Sequence, residues 1–450
     1  MNDHQPAVLP AQRLAAEAPA LPVAIVGAGA CGLVAATVLR DAGIDCVLLE
    51  RDARPAGSTA LSSGFIPAAG TRAQRACGIE DSPERFARDI QAKAKGHAAP
   101  HLVRAYTEAI APALDHLEQR HGIAFELLDG FLYPGHGVRR MHAVRERTGA
   151  ALMAQLERAA TGAGAWLVGD ATVRELYVDD QRRIQGVGYR RPDGTLEQLR
   201  CQQLLLACNG FGGHAAMVAQ LLPAMRDATF AGHAGNDGSA IRWGQALGAR
   251  LADLGGYQGH GSWVVPHGIL MTWAVMAEGG VQLNRLGRRF HDETHGYSEA
   301  AVEVLRQPDG IAWNVFDDHL LALARGFPDF QQAEAAGAVR SAPDRAALAA
   351  LIGCPVEALD PALDRFTPPF HAVKVTGALF HTQGGLDIDA QCRVLDQQGR
   401  PFPNLLAAGG TARGVSGDAV WGYLSGNGLL SAVAGGWIAA RTAITTGGCA

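Results

Sequence analysis

Residues 21–50 read LPVAIVGAGACGLVAATVLRDAGIDCVLLE, and the order of residue types in that stretch decides the fold. A short apolar strand runs into GAGACG, a helix of 3.6-residue period follows, and a second apolar strand, Cys46 to Leu49, ends at Glu50. Gly27 permits a tight turn, Gly29 lets the backbone approach a pyrophosphate, and Gly32 lets helix and strand pack closely. The unpaired NH groups at the helix start then face anionic oxygens. Glu50, 18 residues past Gly32, can accept hydrogen bonds from ribose hydroxyls, and an acid there disfavours a 2′-phosphate. Glycines alone also make plain turns; strand, glycines, helix, strand and acid in this order make a dinucleotide cradle.

Length and composition bound the rest. The chain has 450 residues, 48% hydrophobic and 18% charged, with a net charge of -5. That is enough for two domains and predicts no polyanionic partner, so nucleic acid is not expected. No apolar run has the length of a membrane span, and Met1 to Leu21 is Ala- and Pro-rich without the pattern of a signal peptide. The expectation is a loose tail on a cytoplasmic protein. Eight cysteines stand singly, with no CxxC, which reads as buried thiols rather than disulfides or metal ligands.

Downstream of the ribose acid, Gly57, Ser58, Thr59, Ser62, Ser63 and Gly64 form a loop able to press NH and OH groups onto an extended cofactor; an ordinary Ser/Gly turn is the alternative. Ser82 to Arg120 reads helical, and Tyr133 sits in a turn bounded by glycine and proline. The apolar strand Leu204 to Cys208 ends in NGFGG, a glycine-rich break at the carboxyl end of a strand, where doubly wound sheets bind ligands. Asp237, in the turn Asn236-Asp237-Gly238, is either a cofactor contact or an N-cap. From about Ala252 the texture turns aromatic, His- and Gly-rich and then Ala-rich helical, and strand-like sequence returns at Phe370. The expected division is a tail at 1–21, a first part of the cradle domain at 22–252, an inserted capping domain at 253–369 and a second part at 370–450.

Several segments in order, GAGACG with Glu50, AGSTALSSG, LLLACNGFGG, GNDGSA, VQLNRLGRRFHDE, PFHAVKVTGALFHTQGGLDID and NLLAAGGTARGVSG, resemble the fumarate reductase and succinate dehydrogenase flavoprotein superfamily from Leu21 to about Arg441. The resemblance implies an α/β fold: a two-part Rossmann-type FAD-binding domain with an inserted α+β capping domain, and FAD as cofactor. It assigns to the cofactor Gly27, Gly29, Gly32, Glu50, Arg51, Ser58, Thr59, Ser62, Ser63, Gly64, Asn209, Gly210, Asp237, Gly409, Gly426, Asn427 and Leu429. Where relatives often place an acid against the ribityl chain this sequence has Gly410.

Two departures narrow the chemistry. Fumarate-reducing members hold a dicarboxylate with two arginines; here RFHDETHGYSEA puts Tyr297 in one of those regions and YLSGN puts Tyr423 in the other. Tyrosine cannot supply the bidentate cationic grip of arginine. The remainder resembles the 3-ketosteroid Δ1-dehydrogenase branch, in which Tyr297, Tyr133 and Tyr423 with Gly428 match tyrosines and a glycine NH that act on a cyclic ketone, although the Tyr423–Gly428 spacing differs by one residue from the pattern. That implies FAD-dependent α,β-dehydrogenation of a cyclic or hydroaromatic ketone: Tyr423 and the Gly428 NH polarise the carbonyl, Tyr297 takes the α-proton, Tyr133 supports its phenolate, and the β-hydride passes to flavin N5. His381 and His260 match substrate-binding histidines, against the alternative of imidazoles bonded to backbone. His291 and His295 lack a third ligand, and no metal is expected. With a single complete GxGxxG, reoxidation falls to an external electron acceptor. A reductase of an enone or unsaturated carboxylic acid, using His260, His381 and Arg413, is the alternative; a flavin-binding redox sensor without turnover is the alternative of another class.

Overall fold

The structure, a computed structural model, describes residues 6–128 and 130–447. The chain enters through strand β1 (Ala7–Pro10) and β2 (Ala20–Val26), turns at Gly27 into helix α1 (Ala30–Asp41), and returns as β3 (Cys46–Leu49). A long helix α2 (Pro100–His121) follows, then β4 (Trp166–Val168), β5 (Thr172–Val178), β6 (Ile184–Arg190) and β7 (Leu196–Leu206). β2 pairs in parallel with β3 on one side and β7 on the other, and β3 pairs in parallel with β4. β7 also runs antiparallel to β6, which runs antiparallel to β5. The helical stretch expected over 82–120 is two helices, Pro83–Lys93 and α2, separated where Gly96 takes a positive φ of 79°.

Beyond β7 the capping half is built on β8 (Tyr257–Val264), helix α3 (Tyr297–Leu305), β9 (Ile311–Phe316) and β10 (Phe370–Thr382). β10 runs antiparallel to both β8 and β9. The chain then returns to the first sheet through β11 (Pro401–Ala407), parallel to β7, and ends in helix α4 (Asn427–Gly447). Among the described residues two large apolar cores form, with a smaller cluster around Phe211 and Ile241. Ile25, Leu33, Leu48, Leu405 and Leu430 are fully buried in one, and Val264, Leu283, Phe316 and Val373 in the other. Each such side chain contributes about 1.5–3 kcal/mol on leaving water. Small residues set the α1–α4 crossing: a Cβ on Gly436 would stand 2.4 Å from the Cys31 carbonyl oxygen.

The expected segmentation differs from this architecture at two places. Ala7–Pro10, within the stretch read as a tail, is a strand paired in parallel with β5; four residues ending in proline are too short a pattern to read as a strand. Phe370–Thr382, read as the return to the cofactor domain, is the central strand of the capping sheet. Its run of buried residues marks a strand covered on both faces without saying which sheet it joins.

Candidate functional site

The N-terminus of α1 opens on a cleft of ≈ 820 Å³. Gly27, Gly29, Glu50, Arg51, Ser58, Thr59, Asn209, Asp237 and Gly409 line it, so nine of the expected cofactor residues converge. Gly27 holds φ at 100°, and α1 begins at Gly29 with no side-chain cap. A Cβ on Gly29 would point into open space, its nearest neighbour being Thr59 Oγ1 at 3.9 Å, so this glycine keeps room for a group against the backbone. Glu50 accepts from the Ala28 NH at 2.8 Å and is buried beside the cradle. Ser58 Oγ accepts from Asn209 Nδ2 and Asn236 Nδ2, both at 3.0 Å. Asp237 accepts from Arg51 at 2.8 Å, Arg174 at 3.0 Å and the Ser239 NH at 3.0 Å. Burial opposes its ionisation, but the Ser239 and Arg51 contacts outweigh it and hold the carboxyl well below the usual range.

The other expected cofactor residues lie outside the lining of this cleft. A Cβ on Gly32 would lie 2.0 Å from the Gly27 carbonyl oxygen, so Gly32 makes the helix–strand contact. Ser62 donates to the Thr59 carbonyl at 2.7 Å, receives the Gly64 NH at 3.1 Å and, through its own carbonyl, the Gly149 NH at 2.8 Å. These bonds tie the loop to a neighbouring helix; Ser63 beside them is half-buried. Gly210 abuts Thr382, where a Cβ would meet Oγ1 at 1.9 Å. Gly426 turns with φ 86° against Pro67, Leu429 packs on the core, and Asn427 opens α4. Asn427 Nδ2 donates to Ser416 at 3.0 Å, while its Oδ1 is buried with no partner in the protein. Sequence reasoning missed His233 and Trp243, which line the cleft, and Arg174, which bonds to Asp237 on its wall. They come from β5 and a later turn and helix, and carry no local motif.

Beyond the cradle, at the junction with the capping half, lies an aromatic chamber. Gly259 and Gly261 bring β8 against α3, since Cβ atoms there would meet Ala301 and Ala300 at 2.8 and 2.7 Å. His260 between them stacks on Tyr297, the first residue of α3, with ring centroids 4.7 Å apart. The Tyr297 and Tyr423 rings are 6.1 Å apart, and Tyr423 and His381 are 5.5 Å apart. The Tyr423 hydroxyl faces the Gly428 and Gly426 amides, and a Cβ on Gly428 would lie 3.6 Å from it and 2.7 Å from His381 Nε2. Tyr133 packs edge-on to Phe131 and Phe65 and is close enough to Tyr297 for their charges to interact. Its loop is docked by His136 Nε2, 3.0 Å from the Ser425 carbonyl.

Two mostly buried carboxyls, Glu299 and Asp329, bear on Tyr297 and Tyr133 and oppose their ionisation, while the imidazoles are uncharged. Burial pushes His260 down to about 3 and His381 down to about 4, so neither imidazole is charged at neutral pH. Burial raises Tyr297, Tyr133 and Tyr423 above the ordinary tyrosine value; at Tyr297 the Ser425 and Tyr423 hydroxyls oppose it. The nearby arginines have carboxylate partners: Arg413 is 2.6 Å from Asp253 and 3.5 Å from Asp387, and Arg289 Nε is 2.8 Å from Glu293. His291 bonds to Gln282 at 2.7 Å and His295 is exposed, so they do not share a site. Among the described residues no helix is long and apolar enough to cross a membrane.

Comparison with known proteins agrees with this arrangement. Residues 22–429 match the family model described as "FAD binding domain". The chain is 28% identical over 443 residues to a probable fumarate reductase, Ifc3, of Shewanella frigidimarina, covering 94% of this chain and 74% of that protein. It is 24% identical over 517 residues to the 4-oxocyclohexanecarboxylate 2-dehydrogenase of Sinomonas cyclohexanicum, covering 86% of this chain and 87% of that one. Among solved structures, a flavocytochrome c3 fumarate reductase in an open conformation superposes with a TM-score of 0.81 at 26% identity, over 95% of this chain and 79% of that one. A 3-ketosteroid-Δ4-(5α)-dehydrogenase of Rhodococcus jostii shares the fold with a TM-score of 0.76 at 23% identity, over 97% and 99%. With the glycine cradle, the unpartnered Asn427 oxygen and the ribose acid fitting the cofactor, the chain belongs to the FAD-binding-domain family and is an FAD-dependent oxidoreductase of the fumarate reductase and succinate dehydrogenase flavoprotein superfamily.

Proposed function

We propose that this oxidoreductase desaturates a cyclic or hydroaromatic ketone next to its carbonyl. The observation that carries the reading is the pairing of the Tyr423 hydroxyl with the Gly428 NH beside Tyr297, in a chamber whose histidines are neutral and whose nearby arginines are held by acids. The Tyr423 OH and the Gly428 NH would hold the ketone oxygen, and removing such a donor typically costs about 3–4 kcal/mol of transition-state stabilisation. Tyr297 would take the α-proton. As the first residue of α3 it stands in the field of a helix N-terminus, which favours its phenolate. Tyr133 would lend a further hydroxyl. Bound FAD, held by Gly27, Gly29, Glu50, Ser58 and Asn209, would supply the two-electron acceptor for the β-hydrogen leaving as hydride. The product is the conjugated enone, and the proton stays with the protein. The Sinomonas relative, named for a ring-ketone dehydrogenase, supports this substrate class.

Anaerobic mixing with 4-oxocyclohexanecarboxylate, cyclohexanone derivatives or 3-ketosteroids tests it. The visible flavin band should bleach with at least one ring ketone, and Tyr297→Phe should suppress bleaching while retaining FAD. Bleaching undiminished in Tyr297→Phe would remove that residue as base.

The reverse reaction, reduction of an enone or unsaturated acid, is the second reading. Tyr297 is protonated at neutral pH and so poised to donate, and the relatives named as fumarate reductases support that direction. Reoxidation of the chemically reduced enzyme by enones, compared with ketone oxidation coupled to a dye, separates the two.

A further inference from the structure

Away from both clefts, at the far end of α1, Asp41 meets two histidines from the end of α2. His116 Nε2 is 2.7 Å and His121 Nε2 2.8 Å from the same atom, Asp41 Oδ2. The three ligand atoms all lie within 4.8 Å of one another. The side chains are mostly enclosed, with Asp41 15%, His116 20% and His121 11% exposed, and the Trp437 ring stands edge-on to His116 at 5.0 Å.

From this convergence we propose that Asp41, His116 and His121 bind one zinc ion per chain, with water completing a four-coordinate shell. The donor set of two imidazole nitrogens and one carboxylate oxygen suits Zn²⁺. Zinc bonds to nitrogen and oxygen are about 2.0–2.2 Å, so tetrahedral ligand atoms stand roughly 3.3 Å apart. The present separations need to open by about half an ångström, within reach of small side-chain rotations. α1 ends at Asp41 and α2 at His121, and the negative end of a helix dipole favours a cation. Arg120 lies 3.7 Å from Asp41 Oδ1; it is 61% exposed and can swing into solvent.

The role is structural. Twelve residues of α1, about 18 Å of helix, separate Asp41 from the glycine cradle. The ion would clamp the end of the helix that carries the cradle to the end of α2, both of which pack on α4, and so hold the cofactor half together without touching substrate.

The test uses chelator-treated holoenzyme titrated with Zn²⁺ by calorimetry, with thermal unfolding followed in parallel. One equivalent should bind and raise the unfolding temperature. His116→Gln and His121→Gln should each weaken binding by more than about 100-fold, beyond the loss of an outer-sphere partner, with FAD content and turnover unchanged. Asp41→Asn should do the same if either histidine variant fails to fold. Absence of saturable binding overturns the proposal, as does zinc retained by the double histidine variant on another group such as the exposed Cys77 thiol. The trio is then an acid hydrogen-bonded by two imidazoles and nothing more.

Discussion

The imidazole of His260 lies on the phenol of Tyr297, with planes only 19° from parallel. A neutral, buried ring against the proposed base withholds any cationic help and Glu299 opposes ionisation, so the Tyr297 phenolate depends on the Ser425 and Tyr423 hydroxyls and the start of α3. The pH dependence follows from the raised value at Tyr297. If desaturation needs the phenolate, kcat/KM for a ring ketone should climb steadily with pH through the neutral range, reaching no plateau before strongly alkaline pH. In the reverse direction the phenol is the donor, already protonated, and the profile should stay flat over the same range. Tyr297→Phe should lower the proton-transfer step by about 10²–10⁴-fold and remove the slope.

The Tyr423–Gly428 pair predicts two separable losses. Tyr423→Phe deletes one donor to the ketone oxygen and should cost about 10²–10³ in kcat while the flavin spectrum stays unchanged. Gly428→Ala places a methyl 2.7 Å from His381 Nε2 and 3.6 Å from the Tyr423 hydroxyl, filling the space where the oxygen would sit. Stopped-flow reduction should show substrate binding lost in Gly428→Ala and retained in Tyr423→Phe.

These two positions also show how far the sequence could be read. The strand, glycine turn, helix and acid of residues 22–50 were legible because each step is a local backbone requirement, and nine of the residues expected at the cofactor line one cleft where that motif directs. The tyrosines were legible as residue types, but a spacing between Tyr423 and Gly428 that differs by one residue from the pattern cast doubt on their pairing. Gly426 between them turns with φ 86°, and the Gly428 amide faces the Tyr423 hydroxyl. Arg174 was invisible: it reaches Asp237 only because β5 lies near the cleft, a fact of sheet order rather than of pattern. The sheet to which Phe370–Thr382 belongs was hidden for the same reason.

Glycines of the cradle should respond unequally. Gly32→Ala sets a Cβ against backbone at 2.0 Å, which cannot yield without moving α1 off its strand, and the protein should purify without FAD or fail to fold. Gly57→Ala meets no atom within 4 Å and carries only the strain of φ 55°, roughly 1 kcal/mol. Its FAD content should match the wild type. Equal FAD loss in both would show that the cradle tolerates no change at all, rather than failing by steric contact at one point.

Lys93, the last residue of the helix Pro83–Lys93, reaches across to the capping half, where its Nζ donates to the His295 carbonyl at 2.8 Å and pairs with Glu299. Burial raises the Glu299 carboxyl above its ordinary value, with Lys93 opposing, and Glu299 Oε2 has no hydrogen-bond partner. The sign for stability is therefore fixed: a raised carboxyl favours the fold at acid pH, and that contribution fades as pH climbs through its folded pKa. Lys93→Met removes the cation that pairs with Glu299 and leaves a mostly buried acid unpaired, costing about 1–3 kcal/mol. The loss should be larger at pH 8 than at pH 5, because the unpaired carboxylate is neutralised by acid. The double variant Lys93→Met/Glu299→Gln should recover most of it at pH 8, measured by urea unfolding. A Lys93→Met loss independent of pH would mean that the bond to the His295 carbonyl, not the ion pair, joins the two halves beside Tyr297.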